Sequence, residues 1–130
     1  MPIDYNISVP DRIINIKCVG EVSISEINQY FTDIESDSSV PKNCVELVDL
    51  TAIRYFDVKH SEASTMPTNY YGSKTKHDIL GTIPFGANKL NLDFVLLIEA
   101  YFRKEIPDHF FKIAPDQAEA MRIAKSLRGA

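Results

Sequence analysis

The chain has 130 residues, 45% of them hydrophobic and 25% charged, so we expect one domain with a single core over residues 1–130. Eighteen acidic against fourteen basic residues give a formal net charge of −4, which disfavours nucleic acid as a partner. No stretch approaches the roughly 18 apolar residues of a membrane span, and the start lacks the basic and then apolar pattern of an export signal. We therefore predict a cytoplasmic protein.

Alternating apolar residues on either side of Pro10 and Asp11 predict a β-hairpin whose second strand runs to Gly20. Ser23 and Glu26 then have the spacing of a capping box, in which each side chain satisfies the other residue's free backbone N–H. A stripe of isoleucines and phenylalanine at helical spacing follows. The serine-rich segment "SDSSVPKN" is predicted to end this helix.

The next segment, "CVELVDL", is an apolar run of strand length, typical of a strand with neighbours on both sides. Glu46 interrupts it, and we expect its carboxylate to be solvated or paired with Lys17 or Arg12, because an unpaired buried carboxylate is costly. After this strand the pattern predicts a helix from Asp57 to about Thr65. Asp57 is the expected N-cap of that helix.

The segment "TNYYGSKTKHD" is predicted to be a basic, solvated loop, with an anion site as the alternative. A short strand, "ILGTIPF", should end near Pro84, since proline cannot donate to a sheet. A long helix follows over residues 88–106 and is stopped by Pro107. After a strand at "HFFKI", a last helix starts at Pro115 and is closed by Gly129.

This order predicts an α/β fold: a β-hairpin followed by βαβαβα, with about five strands in one mixed, mainly parallel sheet and four helices. The first strand should run antiparallel. A flavodoxin-like layout is the main alternative, but it does not normally begin with a hairpin.

Candidate chemistry is sparse. Cys18 and Cys44 lie in apolar stretches without CxxC spacing, which indicates reduced, buried thiols. His60, His77 and His109 fall in three separate segments without further ligands nearby, so no metal site is expected. No catalytic or nucleotide-binding motif is present, and we expect no cofactor.

The stretch "LVDLTAIRYFD" resembles the strand and loop of STAS domains, the fold of anti-sigma-factor antagonists. The pattern of that family is an apolar strand, Asp-Leu-Ser, a mixed apolar stretch, and Asp-Ser-Ser-Gly. Asp49, Leu50 and Thr51 match the first triplet, and Asp57 matches the later aspartate. The segments "GEVSISEI" and "FFKIAPDQAEAMRIAKSL" also fit, especially the SpoIIAA-like branch of small stand-alone bacterial proteins.

The resemblance implies a regulatory loop in which the second serine of Asp-Ser-Ser-Gly is phosphorylated. Here that position is Lys59, with Val58 before it and His60 in place of the glycine, so a phosphorylation switch of that kind is not expected. Ser61 or Thr51 are the alternative acceptors. The candidate interaction loop consists of Asp57, Lys59, His60 and Ser61.

The helix over residues 88–106 is apolar around more than half of its circumference, which is wider than one sheet requires. Its outer part is expected to contact a second subunit, a neighbouring helix or an apolar ligand. The resemblance to SpoIIAA-like proteins makes the ligand admissible. The candidate ligand or dimer surface is formed by Phe94, Leu97, Ile98, Tyr101 and Phe102.

The sequence thus favours a non-enzymatic regulatory or protein-interaction domain of STAS-like fold that lacks the usual phosphorylatable serine and binds a protein partner or forms a homodimer. A carrier or sensor of a small hydrophobic ligand is the alternative. An enzyme that uses His60 with Glu62 or Asp57 as an acid–base pair ranks third.

Overall fold

A computed structural model describes residues 2–128, and its element order follows the predicted alternation of strands and helices. The strands are β1 (Ile3–Ser8), β2 (Ile13–Ser23), β3 (Val45–Asp57), β4 (Gly81–Phe85) and β5 (Phe110–Phe111). The helices are α1 (Ile24–Ser36), α2 (His60–Ala63), α3 (Met66–His77), α4 (Lys89–Glu105) and α5 (Gln117–Arg128). The predicted closing residue of the last helix, Gly129, lies outside the described residues.

The five strands form one sheet in chain order, β1-β2-β3-β4-β5. β1 runs antiparallel to β2, and every other neighbouring pair is parallel. This confirms the predicted α/β class with one mixed, mainly parallel sheet. Within residues 2–128, four helices exceed ten residues, which is the predicted number, but one of them, α3, replaces a predicted loop, and the helix predicted from Asp57 to about Thr65 is the single turn α2.

Local signals at the start of the chain are confirmed. The hairpin turn is closed by the Arg12 N–H, which donates to the Val9 carbonyl oxygen at 3.2 Å. The capping box forms as predicted: the Ser23 N–H donates to Glu26 Oε1 at 2.8 Å, and the Glu26 N–H donates to Ser23 Oγ at 3.4 Å. Both features depend on residues at most three positions apart, which explains why sequence alone was sufficient.

β3 is longer than predicted, and the prediction that Asp57 caps a helix is wrong. Asp57 is the last residue of β3 and pairs with Ser23 of β2. Pairing with β2 keeps the backbone extended through this position, and α2 begins only at His60. Lys59 is the N-cap, and its N–H donates to Glu62 Oε1 at 2.8 Å.

The predicted loop "TNYYGSKTKHD" is also wrong, because most of it forms α3. Pro67 lies in the first turn of this helix, where the missing N–H costs no hydrogen bond. Tyr70, Ser73 and His77 are buried and share one face at helical spacing. The sequence does not predict this helix because its buried face carries polar atoms, whereas a buried stripe is usually recognised by its aliphatic residues.

The strands and helices in the second half of the chain occur in the predicted order. Pro84 is the penultimate residue of β4, so that strand ends where proline indicated. Asn88 is the N-cap of α4, with its Oδ1 accepting from the Asn91 N–H at 3.0 Å, and Ile106 is the C-cap. β5 has only two residues, fewer than "HFFKI" suggested.

Side chains on the two faces of the sheet form two apolar clusters. Helices α1, α3 and α4 cover one face, on which Ile14, Ile16 and Cys18 of β2 project. α5 covers the other face and packs on Ile13 and Leu47, among others. Within residues 2–128, no helix combines the length and the apolar character that a membrane crossing requires.

Candidate functional site

A cavity of about 110 Å³ lies between the sheet and the three helices α1, α3 and α4. The sheet contributes apolar side chains from β2, including Ile16 and Val22. α1 contributes Ile27 and Phe31, and α4 supplies much of the opposite wall. The residues of α4 that line it are Phe94, Val95, Ile98 and Phe102.

An acidic residue, Glu46, lines this largely apolar cavity, and the expectation that it would be solvated or paired with Lys17 or Arg12 is wrong. Its side chain is only 2% exposed. Successive residues of a strand point to opposite faces, so Val45 and Leu47 face α5 while Glu46 faces the cavity.

Three hydroxyl groups surround the Glu46 carboxyl group. Oε2 accepts from the Tyr30 hydroxyl at 2.5 Å, and Oε1 accepts from the Tyr70 hydroxyl at 2.5 Å. Thr82 Oγ1 donates to Oε1 at 2.6 Å. The donors come from α1, α3 and β4, so the whole fold is required to satisfy one acidic side chain.

Burial governs the protonation of this cluster. Loss of solvation raises the pKa of Glu46 above its ordinary value, and the hydrogen bonds from Thr82, Tyr30 and Tyr70 partly oppose that effect. The pKa values of both tyrosines are raised well above 10, chiefly by burial and then by the nearby Glu46 charge. The two phenols therefore remain proton donors to Glu46 at any ordinary pH.

His109 and Lys74 lie behind this cluster rather than on the cavity wall. His109 Nε2 is 2.8 Å from Thr82 Oγ1, and burial together with the Lys74 charge lowers the pKa of His109 to about 3, so its imidazole is neutral. The Lys74 ammonium donates to the Ile79 carbonyl oxygen at 2.8 Å. Neither residue lines the cavity.

An asparagine side chain holds α4 over the cavity. β3 extends past the last residue that pairs with β4, which leaves backbone groups on that edge without a strand partner. Asn91, 2% exposed, replaces the missing strand: its Oδ1 accepts from the Phe56 N–H at 3.2 Å, and its Nδ2 donates to the Arg54 carbonyl oxygen at 3.1 Å.

The structure distributes the five predicted α4 residues over two environments. Phe94, Ile98 and Phe102 line the cavity. Leu97 and Tyr101 are partly buried but do not reach it, and the Tyr101 hydroxyl instead lies 3.2 Å from His60 Nδ1. The rings of Phe94 and Phe56 stack with centroids 4.5 Å apart, and both half-buried side chains also line the cavity.

The candidate interaction loop is exposed but is not part of the cavity. Asp57, Lys59, His60 and Ser61 are all exposed around the end of β3 and the start of α2. His60 contacts Tyr101, and its ring nitrogens make no hydrogen bond to a carboxylate of residues 2–128. The alternative acceptor Thr51 is exposed on β3, and its hydroxyl donates to Asp49 Oδ1 at 2.6 Å.

Cys18 and Cys44 are both buried and unbonded, as predicted. Burial raises the pKa of each thiol to about 12, so neither is a reactive thiolate. Among residues 2–128, no three His, Cys, Asp or Glu side chains are close enough to hold a metal ion.

The centre of the site is not evident from the sequence. Glu46 interrupts an apolar run, but the sequence favours a carboxylate that is solvated or paired with Lys17 or Arg12. Tyr30, Thr82 and His109 gave no signal, and Tyr70 was attributed to a loop. An acidic residue within a strand flanked by two crossover helices was the available signal, because such strands are covered on both faces.

The chain matches no protein-family model and no curated protein. It is similar in structure to an uncharacterised protein of the DUF3478 family with a SpoIIAA-like fold from Shewanella loihica PV-4. The two share 17% identity with a TM-score of 0.57, over 94% of this chain and 91% of that one.

It is also similar to the anti-sigma factor antagonist SpoIIAA in its unphosphorylated form, at 13% identity and a TM-score of 0.53, over 98% of this chain and 99% of that one. Similarity at these identities establishes the fold: the chain has a STAS-type, SpoIIAA-like fold.

Proposed function

We propose that this SpoIIAA-like domain is a non-enzymatic regulatory protein in which a small apolar ligand, rather than phosphorylation, controls contacts with a protein partner. The cavity beneath α4 is the observation that carries the proposal. Closely packed interiors contain few voids larger than a water molecule, and an apolar cavity of this kind stays dry and accepts small apolar molecules.

The replaced phosphorylation motif supports a ligand instead of a kinase. Lys59 occupies the position at which the resemblance to STAS domains places the phosphorylated serine, and neither Val58 nor His60 can serve as the acceptor by the same chemistry. The nearest hydroxyl, on Ser61, is exposed in the single turn of α2.

α4 connects the cavity with the surface. One face of this helix lines the cavity through Phe94, Ile98 and Phe102. Another face exposes Leu92 and Leu96, which are 36% and 46% accessible and lie one helical turn apart. A ligand that moves α4 would therefore move an exposed apolar surface, which supports a regulatory use of the cavity.

A substitution that fills the cavity tests the proposal. We expect wild-type protein to bind toluene saturably. Ile98→Phe should weaken this binding about tenfold or more, because the phenyl ring of the new side chain occupies the ligand's space. Chemical shifts of backbone amides during titration with toluene measure the binding.

Ile123→Phe is the matched control. Ile123 lies on α5, is as deeply buried as Ile98, and packs on the opposite face of the sheet. Ile123→Phe should disturb packing to a similar degree without weakening the binding of toluene. Equal loss of binding in both variants, or no saturable binding by the wild type, would count against a ligand cavity.

The exposed leucines lead to a second prediction, on self-association. If α4 forms the contact of a homodimer, Leu96→Glu should weaken dimerisation about tenfold or more, since it places like charges in an apolar contact. Analytical ultracentrifugation across a concentration series measures the effect. Val9→Glu changes another exposed apolar residue, at the hairpin turn, and should leave the dimer intact. A monomeric wild type would exclude this contact.

A further inference from the structure

We infer that the cavity selects a small apolar molecule that carries one hydroxyl group, bound at Glu46, and rejects carboxylates of the same size. This inference rests on the proposed function, because it assigns the ligand class of the same cavity.

The polarity of the wall is confined to one place. Apart from the sulfur atoms of Cys18 and Met66, polar side-chain atoms on the cavity wall belong to Glu46 and its three hydroxyl donors, Tyr30, Tyr70 and Thr82. The other described lining side chains are aliphatic, aromatic or proline. A ligand that fits this wall therefore has an apolar body and a single polar group.

The hydrogen bonds at Glu46 leave room for one more partner. Oε1 already accepts from two donors, Tyr70 and Thr82, whereas Oε2 accepts from Tyr30 alone. Each carboxylate oxygen offers about two acceptor positions, so Oε2 retains one. A hydroxyl can donate there when Glu46 is ionised, and it can accept from Glu46 when the carboxyl group is protonated. A hydroxyl therefore suits both states.

The cavity is unfavourable for a ligand that carries a carboxylate. Among the described residues that line the cavity, none is cationic. The Lys74 ammonium is directed to the Ile79 carbonyl oxygen, and His109 is neutral behind Thr82. A ligand carboxylate would lose its hydration beside a second acidic group without gaining a cation. A ligand ammonium would also have to leave water, next to a carboxyl group that burial keeps protonated more readily than usual.

The volume limits the size of the ligand. About 110 Å³ is smaller than the 150 Å³ of an engineered protein cavity that binds benzene. A single ring or a short chain is therefore the largest body that fits without movement of α4. Any longer part of a ligand would have to displace the stacked rings of Phe56 and Phe94, which are partly exposed at the cavity.

Three benzenes with one substituent each test the inference: toluene and phenol, which match in size, and the slightly larger benzoate. Titration of the wild-type protein at pH 7, followed by amide chemical shifts, should give phenol a dissociation constant about five to ten times lower than that of toluene, as one additional hydrogen bond provides. Benzoate should bind at least about tenfold more weakly than phenol.

Glu46→Gln tests whether Glu46 is responsible for the weak binding of benzoate. The amide removes the acidic group and offers a donor, so benzoate affinity should rise about tenfold while phenol changes less than about threefold. Glu119→Gln makes the same chemical change on the surface of α5, beside Arg122, and should alter none of the three affinities.

The outcomes separate the inference from the proposed function. Equal affinities for phenol and toluene, or benzoate binding as tight as phenol, would overturn the hydroxyl preference and leave the ligand cavity standing. If none of the three compounds binds the wild type, both fail. The wild-type ratios decide these points even if Glu46→Gln does not fold.

Discussion

Replacing Glu46 by alanine is expected to lower the free energy of unfolding by about 3 kcal/mol at pH 5. The substitution removes the common acceptor of Tyr30, Tyr70 and Thr82, and both tyrosine side chains are buried. Each buried donor left without a partner costs about 1–3 kcal/mol, and water that enters the enlarged cavity recovers part of this. Urea unfolding followed by circular dichroism measures the loss.

Glu119→Ala is the matched control, since Glu119 pairs with Arg122 on the surface of α5. We expect it to change the free energy of unfolding by less than about 0.5 kcal/mol. A similar small change for Glu46→Ala would mean that the three hydroxyls are not dependent on this carboxyl group.

The pH dependence of stability tests the protonation of Glu46. Folding raises the pKa of Glu46 above 4.5, so the folded state binds its proton more tightly than the unfolded state. Its stabilising contribution is complete below about pH 4.5 and is lost as the pH rises through the folded pKa. The advantage of the wild type over Glu46→Gln should therefore decrease as the pH increases from 4.5.

His109 acts in the opposite direction, because burial and the Lys74 charge lower its pKa from 6.5 to about 3 in the folded state. Its contribution is present above pH 6.5 and is lost as the pH falls towards 3. Both proteins contain His109, so the difference between wild type and Glu46→Gln isolates Glu46. A difference that is constant from pH 4 to pH 8 would contradict a raised pKa.

Replacing Asn91 by alanine should destabilise the protein by about 2–3 kcal/mol. The Phe56 N–H and the Arg54 carbonyl group, on the part of β3 that β4 does not reach, would lose their partner. Because the same side chain holds α4 on β3, toluene affinity should also fall. Thermal unfolding and the toluene titration measure the two effects.

Asn69→Ala is the control, since Asn69 is exposed on α3 and the hydrogen bonds of its side-chain amide are at the surface. Hydrogen exchange distinguishes a local anchor from general weakening: the Phe56 amide should exchange faster in Asn91→Ala by a larger factor than the amides of β2. Uniform acceleration throughout the sheet would show that Asn91 contributes only to overall stability.

Features that depend on near neighbours in the chain could be predicted from the sequence. The hairpin, the Ser23–Glu26 capping box and the ends of α4 at Asn88 and Ile106 all agree with the structure. Two wrong predictions of secondary structure, a cap at Asp57 and a loop at α3, occur where tertiary contacts outweigh local preference. Pairing with β2 extends β3, and burial of Tyr70 supports a helix that composition alone disfavours.

The candidate site was predictable only in part. Phe94, Ile98 and Phe102 were named as a ligand surface because the apolar arc of one helix is visible in its sequence, and all three line the cavity. The polar end of the cavity could not be predicted, since its residues come from separate elements. The exposed loop at Asp57, Lys59, His60 and Ser61 stays a prediction as a contact surface for a partner.

The sequence by itself determined the alternation of strands and helices, the fold class and the absence of a serine at the expected phosphorylation position. Those properties follow from periodicity, caps and residue identity within short segments. Only the tertiary structure decided the fate of Glu46, because its donors Tyr30, Tyr70 and Thr82 lie 16, 24 and 36 residues away along the chain. A buried carboxyl group is stable only when such distant donors converge on it, and that convergence is a property of packing rather than of any local pattern.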